Sequence, residues 1–166
     1  MALSALAAIW FLPFVLPICL YVAYTDLARM KITNRAVLAL GAVYVVLGPF
    51  VLPSLDIYLW GFAQFALVLV AGIALNAAGV MGAGDAKFLA FAAPYVALAD
   101  LSRLAILFMA VLLAAVVTHR GARASARLRA LAPDWASWEQ GKRFPLGLAL
   151  GPSLALYLCL AALNGA

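Results

Sequence analysis

Along the 166 residues, long apolar runs alternate with short polar breaks. A helix needs about 20 mostly apolar residues to cross a bilayer, or as few as about 17. On that measure the chain predicts about six spanning helices, over residues 3–24, 36–52, 57–78, 86–99, 101–118 and 144–163. Thr33 or Asn34 would cap the second, and Ser54 or Asp56 the third. Pro13 and Pro17 predict kinks in the first helix, while Pro94 interrupts the fourth. At about 14 residues the fourth is the shortest, and a re-entrant course would invert the last two.

The charges favour six crossings. Ten of the eleven basic residues fall in the odd-numbered connections or at their edge, and only Arg103 falls on the other side. The positive-inside bias then places both termini outside and the odd loops in the cytosol. The first basic residue is Arg29, after the first apolar run. A cleaved signal peptide carries its positive charge before that run, so the order fits a retained first helix. The polar stretch 119–143 is the only sizeable one. Residues 122–131, rich in Ala and Arg, could form a helix on the inner leaflet, with Leu128, Leu131, Trp135 and Trp138 dipping into the interface.

Composition supports lipid as the solvent. The chain is 69% hydrophobic and 10% charged, against roughly 45–50% apolar and about 25% charged in soluble domains. A soluble domain this small could not hide that much apolar surface. The expectation is an all-α, polytopic membrane helix bundle, one domain over 1–166. The net charge of +5 follows topology rather than forming a nucleic-acid surface. Cys19 and Cys159 lie inside apolar runs without zinc or disulfide spacing, and no cofactor is expected.

Carboxylates at or inside a membrane are costly and ask for a reason. Asp56 and Asp100 precede helices and read as N-caps. Asp134 and Glu139 lie in the polar loop. Asp26 ends the first run, and Asp85 stands in Gly82-Ala83-Gly84-Asp85-Ala86-Lys87 just before the fourth. Both fall at the cytosolic edge, where a bundle can bring them together. Two adjacent carboxylates hold a single proton, so one can activate water while the other donates to a carbonyl oxygen. Gly79, Gly82 and Gly84 would let a substrate backbone approach Asp85, or would form an ordinary turn. Lys87 reads as a side chain reaching headgroups, or as one that tunes the pair. Gln64 and Asn76 read as interhelical hydrogen bonders. His119 reads as structural, at the cytosolic end of the fifth helix.

These motifs resemble those of the type IV prepilin peptidases, bacterial membrane aspartic peptidases. Gly82 to Lys87 matches the Gly-x-Gly-Asp-x-Lys stretch of that family. The segment Asp26 to Asn34 is similar to the one that carries the first catalytic aspartate, with Thr33 where proline is usual. Phe144-Pro145-Leu146-Gly147 resembles the stretch opening the last helix. The resemblance implies Asp26 and Asp85 as catalytic residues, and Gly82, Gly84 and Lys87 as the active-site loop. It implies a prepilin or pseudopilin substrate, cut at the cytosolic face of the inner membrane where its charged leader meets its apolar helix. The cysteine-containing methylating domain of larger members is missing, as in the short tight-adherence (Flp) pilus type. Two other readings use the same pattern: a proton-coupled transporter with the acids as a relay, and a pilus-assembly subunit.

Overall fold

The computed structural model describes residues 1–141 and 143–165 and contains helices and turns, with no strand among the described residues. In chain order the helices are α1 (Ala5–Arg29), α2 (Asn34–Val51), α3 (Leu55–Ala77), α4 (Ala83–Ala92), α5 (Leu101–Ala124), α6 (Ala126–Leu131) and α7 (Gly147–Asn164). Among the described residues, five helical stretches are long and apolar enough to cross a membrane: α1, α2, α3, α5 with its lead-in, and α7. The sixth passage is composite. α4 ends where Pro94 removes an amide, and the 3-10 turns Ala93–Tyr95 and Leu98–Asp100 carry the chain on to α5. This run starts at the end of the bundle that holds Asp26 and finishes at the end that holds both termini.

The termini are tied together. The Met1 ammonium donates to Asn164 O at 3.0 Å. Asp100 is fully buried, and its Oδ2 accepts the amides of Ala2 (2.7 Å) and Leu3 (3.3 Å) and the Tyr157 hydroxyl (3.1 Å). Its Oδ1 takes Arg103 at 2.9 Å. The N-cap reading of Asp100 is therefore corrected: it holds the cap position of α5 without a side-chain cap bond, because its carboxylate is engaged by the chain start and α7. Asp56 lies in the first turn of α3, and Ser54 supplies that cap. Thr33 caps α2.

The core sits where α1, α2, the α4 passage and α7 meet. Phe11 and Tyr44 pack against the Tyr95 ring at 4.9 and 5.4 Å, edge to face. The Tyr95 hydroxyl donates to Leu40 O at 2.6 Å. Breaking α4 at Pro94 thus delivers a tyrosine to the bundle centre. α1 and α7 share the most extensive interface. Gly147, Gly151 and Ala155 recur every fourth residue on α7, so the backbones can approach closely. A Cβ on Gly151 would strike the Cys19 carbonyl oxygen. By contrast, α3 and α5 turn large side chains such as Leu67 and Ile106 outward, which in a bilayer is toward lipid.

Several boundaries differ from the sequence expectation. α1 runs through Pro13 and Pro17 and past Asp26 to Arg29, closed by Met30 in the left-handed region, whose amide bonds Asp26 O at 2.9 Å. α5 continues to Ala124, so His119 is inside the helix and not at its end. The polar loop folds back on the bundle. His119 stacks on Trp138 (5.2 Å between centroids), Trp138 on Trp135 (5.5 Å), and Trp135 meets Tyr24 edge-on (6.3 Å). Trp138 is buried, which corrects the expectation that it dips into lipid. Of the helix expected over 122–131, the first residues extend α5 and the rest form α6, where Leu128 and Leu131 stay exposed. Gln64 bridges elements by donating to Val96 O (3.1 Å), whereas Asn76 braces its own loop through Met81 O (2.8 Å).

Candidate active site

At the end opposite the termini, a cavity of about 640 Å³ is lined by Asp26 and Asp85 together. Residues 26 and 85 are distant in sequence, and three features bring them there. First, α1 persists through Asp26, which is 6% exposed. Second, the Gly147 amide donates to Asp26 Oδ2 at 2.6 Å. Gly147 is the first residue of α7, so the carboxylate closes the positive end of that helix dipole and satisfies one of its free amides. A Cβ at position 147 would lie 2.9 Å from both Asp26 Cβ and Oδ2, so only glycine permits this approach.

Third, the turn between α3 and α4 aims Asp85. Gly79 takes φ +73, and the Gly79 and Val80 amides bond Asn76 O and Leu75 O at 2.9 and 3.0 Å. This is a Schellman closure, which needs the left-handed conformation that glycine adopts without steric cost. Gly82 then holds the N-cap position of α4 in extended geometry, with Asp85 in the first turn. The Asp85 carboxylate folds toward Gly82, where a Cβ would come within 2.7 Å of Oδ2. Burial, and after it the neighbouring Asp26 carboxylate, push the Asp85 carboxyl up to about 6, against the lowering effect of the Gly82 amide. The two acids are thus close enough to feel each other's charge.

Not every residue singled out from sequence faces this cavity. Gly79 and Gly82 line it with the acids. Gly84 packs instead on the α1–α2 connection, where a Cβ would meet Ile32 Cβ at 3.2 Å. Lys87 donates from Nζ to Asn34 Oδ1 at 3.0 Å and braces α4 against the start of α2. The sequence reading missed Gln140 and Arg143, which come from the polar loop to line the same cavity. It also gave Gly147 no role. The available signal was chemical: a buried carboxylate demands a donor, and the Pro145-Leu146-Gly147 stretch opens a helix. Among the described residues no three His, Cys, Asp or Glu side chains gather as metal ligands.

A model of the type IV leader peptidase family matches residues 13–119. The chain belongs to the type IV leader peptidase family. The matched stretch contains Asp26, the glycine turn and Asp85, and it ends before the loop and α7 that complete the cavity. No individual curated protein and no solved structure matches the chain. Membership makes this leader peptidase a membrane-embedded protease, with prepilins as the implied substrate class.

Proposed function

We propose that this leader peptidase is an aspartic endopeptidase that removes the leader of a prepilin or pseudopilin, with Asp26 and Asp85 as its catalytic pair. The observation that carries the reading is the shared cavity: two acids from α1 and α4 line one aqueous-sized space at one end of an apolar bundle. Like charges so placed do not both ionise readily, and the pair holds one proton. Asp26 accepts the Gly147 amide at 2.6 Å, while Asp85 is pushed up to about 6 by burial and then by Asp26, so we assign the shared proton to Asp85.

The reaction then proceeds without a covalent enzyme intermediate. Asp26 takes a proton from water, and the oxygen attacks the scissile carbonyl carbon. Asp85 gives its proton to the carbonyl oxygen, producing a neutral gem-diol. Asp85 then recovers a proton from the gem-diol while Asp26 passes its own to the amide nitrogen. The C–N bond breaks, releasing acid and amine and restoring the starting protonation. Gly79 and Gly82 leave space for the substrate backbone at the cavity wall. With the basic connections at the inner rim, the acids face the cytosol of the inner membrane.

The deciding measurement is processing of a co-expressed prepilin, read as a gel shift. Asp26→Asn and Asp85→Asn each abolish cleavage while the protein still inserts. Cleavage retained by either variant removes that residue from the pair. A proton relay would instead place its acids near the midplane, whereas these lie at the bundle end. An assembly subunit would tolerate both changes.

A further inference from the structure

A second space lies beside the acid cavity. α5 packs on α7 and makes at most sparse contact with α4. The gap is a groove of about 450 Å³ with almost wholly apolar walls. Leu101, Leu104, Ala105, Phe108 and Leu112 of α5 line it at helical spacing, facing Phe88 and Ala92 of α4 and Leu150 and Leu154 of α7. At about 1.5 Å per residue, the stripe from Leu101 to Leu112 runs roughly 17 Å, over half of a hydrocarbon core about 30 Å thick. Met81 and Leu146 line both this groove and the acid cavity.

Building on the peptidase reading above, we propose that this groove seats the apolar helix of the substrate, leaving its scissile bond in the acid cavity. The groove has room for one row of side chains from a helix, whose other face stays in lipid. Its lining offers almost no polar partner, so it selects an uncharged apolar segment. Continuity through Met81 and Leu146 supplies the geometry: a helix ending at those residues sends its next residues past Asp26 and Asp85. A peptide bond inside a helix has its carbonyl hydrogen-bonded and shielded, so the bond presented must lie just beyond the helix end.

The test uses the full-length Asp85→Asn protein, which would hold substrate uncut, carrying a photo-crosslinking phenylalanine derivative at position 105. Controls carry it at Ile106, on the outer face of α5, or at Leu67 on α3, both 72% exposed. Co-expressed prepilin is expected to crosslink through its apolar helix at position 105 at least tenfold more than at 106 or 67. Equal yields at the three positions, or crosslinks at 105 to lipid alone, would overturn the groove. The wild-type protein is assayed for cleavage in parallel. If it cuts the prepilin while position 105 stays silent, only the groove is wrong. If it does not cut, the peptidase reading fails and the groove falls with it.

Discussion

Adding one methyl group at Gly147 should disable the enzyme. In Gly147→Ala the new Cβ would sit 2.9 Å from Asp26 Cβ and Oδ2 and 3.1 Å from Cγ. Carbon atoms rest at about 3.5–4.0 Å, so α7 or the carboxylate must retreat by roughly 0.5–1 Å. Overpacking of this kind costs about 1–3 kcal/mol of stability. The larger effect is on chemistry, since misplacing a reacting group by about 1 Å costs on the order of 100-fold in rate. Purified enzyme in detergent, given a prepilin, should show kcat reduced by that factor with KM little changed. Gly151→Ala is the control: its Cβ meets the Cys19 carbonyl on the same seam, away from the acids. It should lower the melting temperature at least as much, because the overlap is with backbone, and reduce kcat by less than tenfold. Wild-type turnover by Gly147→Ala would refute the claim that this contact sets the acid's position.

Other outcomes follow from the same geometry. Because Asp85 is raised to about 6, its neutral form is the one the fold favours. The stability this contributes is complete below the ordinary carboxylate range and lost as pH rises through about 6. A kcat/KM profile should therefore fall with an apparent pKa near 6, and Asp85→Asn should flatten the loss of melting temperature between the ordinary carboxylate range and about pH 6. A profile still rising past pH 8 would contradict the assignment of the proton to Asp85. Asp100→Ala strands the Ala2 and Leu3 amides and the Tyr157 hydroxyl without an acceptor, at about 1–3 kcal/mol for each buried group. Its melting temperature should drop sharply while the rate per folded molecule holds, since Asp100 is at the far end. Lys87→Ala loses an exposed bond to Asn34 and should keep more than a tenth of wild-type cleavage; complete loss with normal expression would place Lys87 in the chemistry.

The bundle was legible because lipid enforces a simple rule: apolar runs of membrane length must be helices. Asp26 and Asp85 stood out for the same reason, as acids at the ends of such runs. The glycine turn was readable as a motif, but the division of labour within it was not. Gly82 faces the cavity while Gly84 packs on Ile32, and this depends on which side of α4 meets the α1–α2 connection. Trp138 was misplaced because an aromatic in a basic loop suits an interface as well as a stack on His119, and only the fold-back chooses. Gly147 escaped because its value lies in a partner 121 residues away.

α7 has two working faces. One carries Gly147 and Gly151 against α1 and fixes the Asp26 carboxylate; the other carries Leu150 and Leu154 into the groove beside α5. A single stiff rod thus joins the place where a visiting helix would press to the atom that must be aimed. On the proposed reading, the helix that borders the cargo is also the one that holds the acid, so one element is shared by the groove and the cavity.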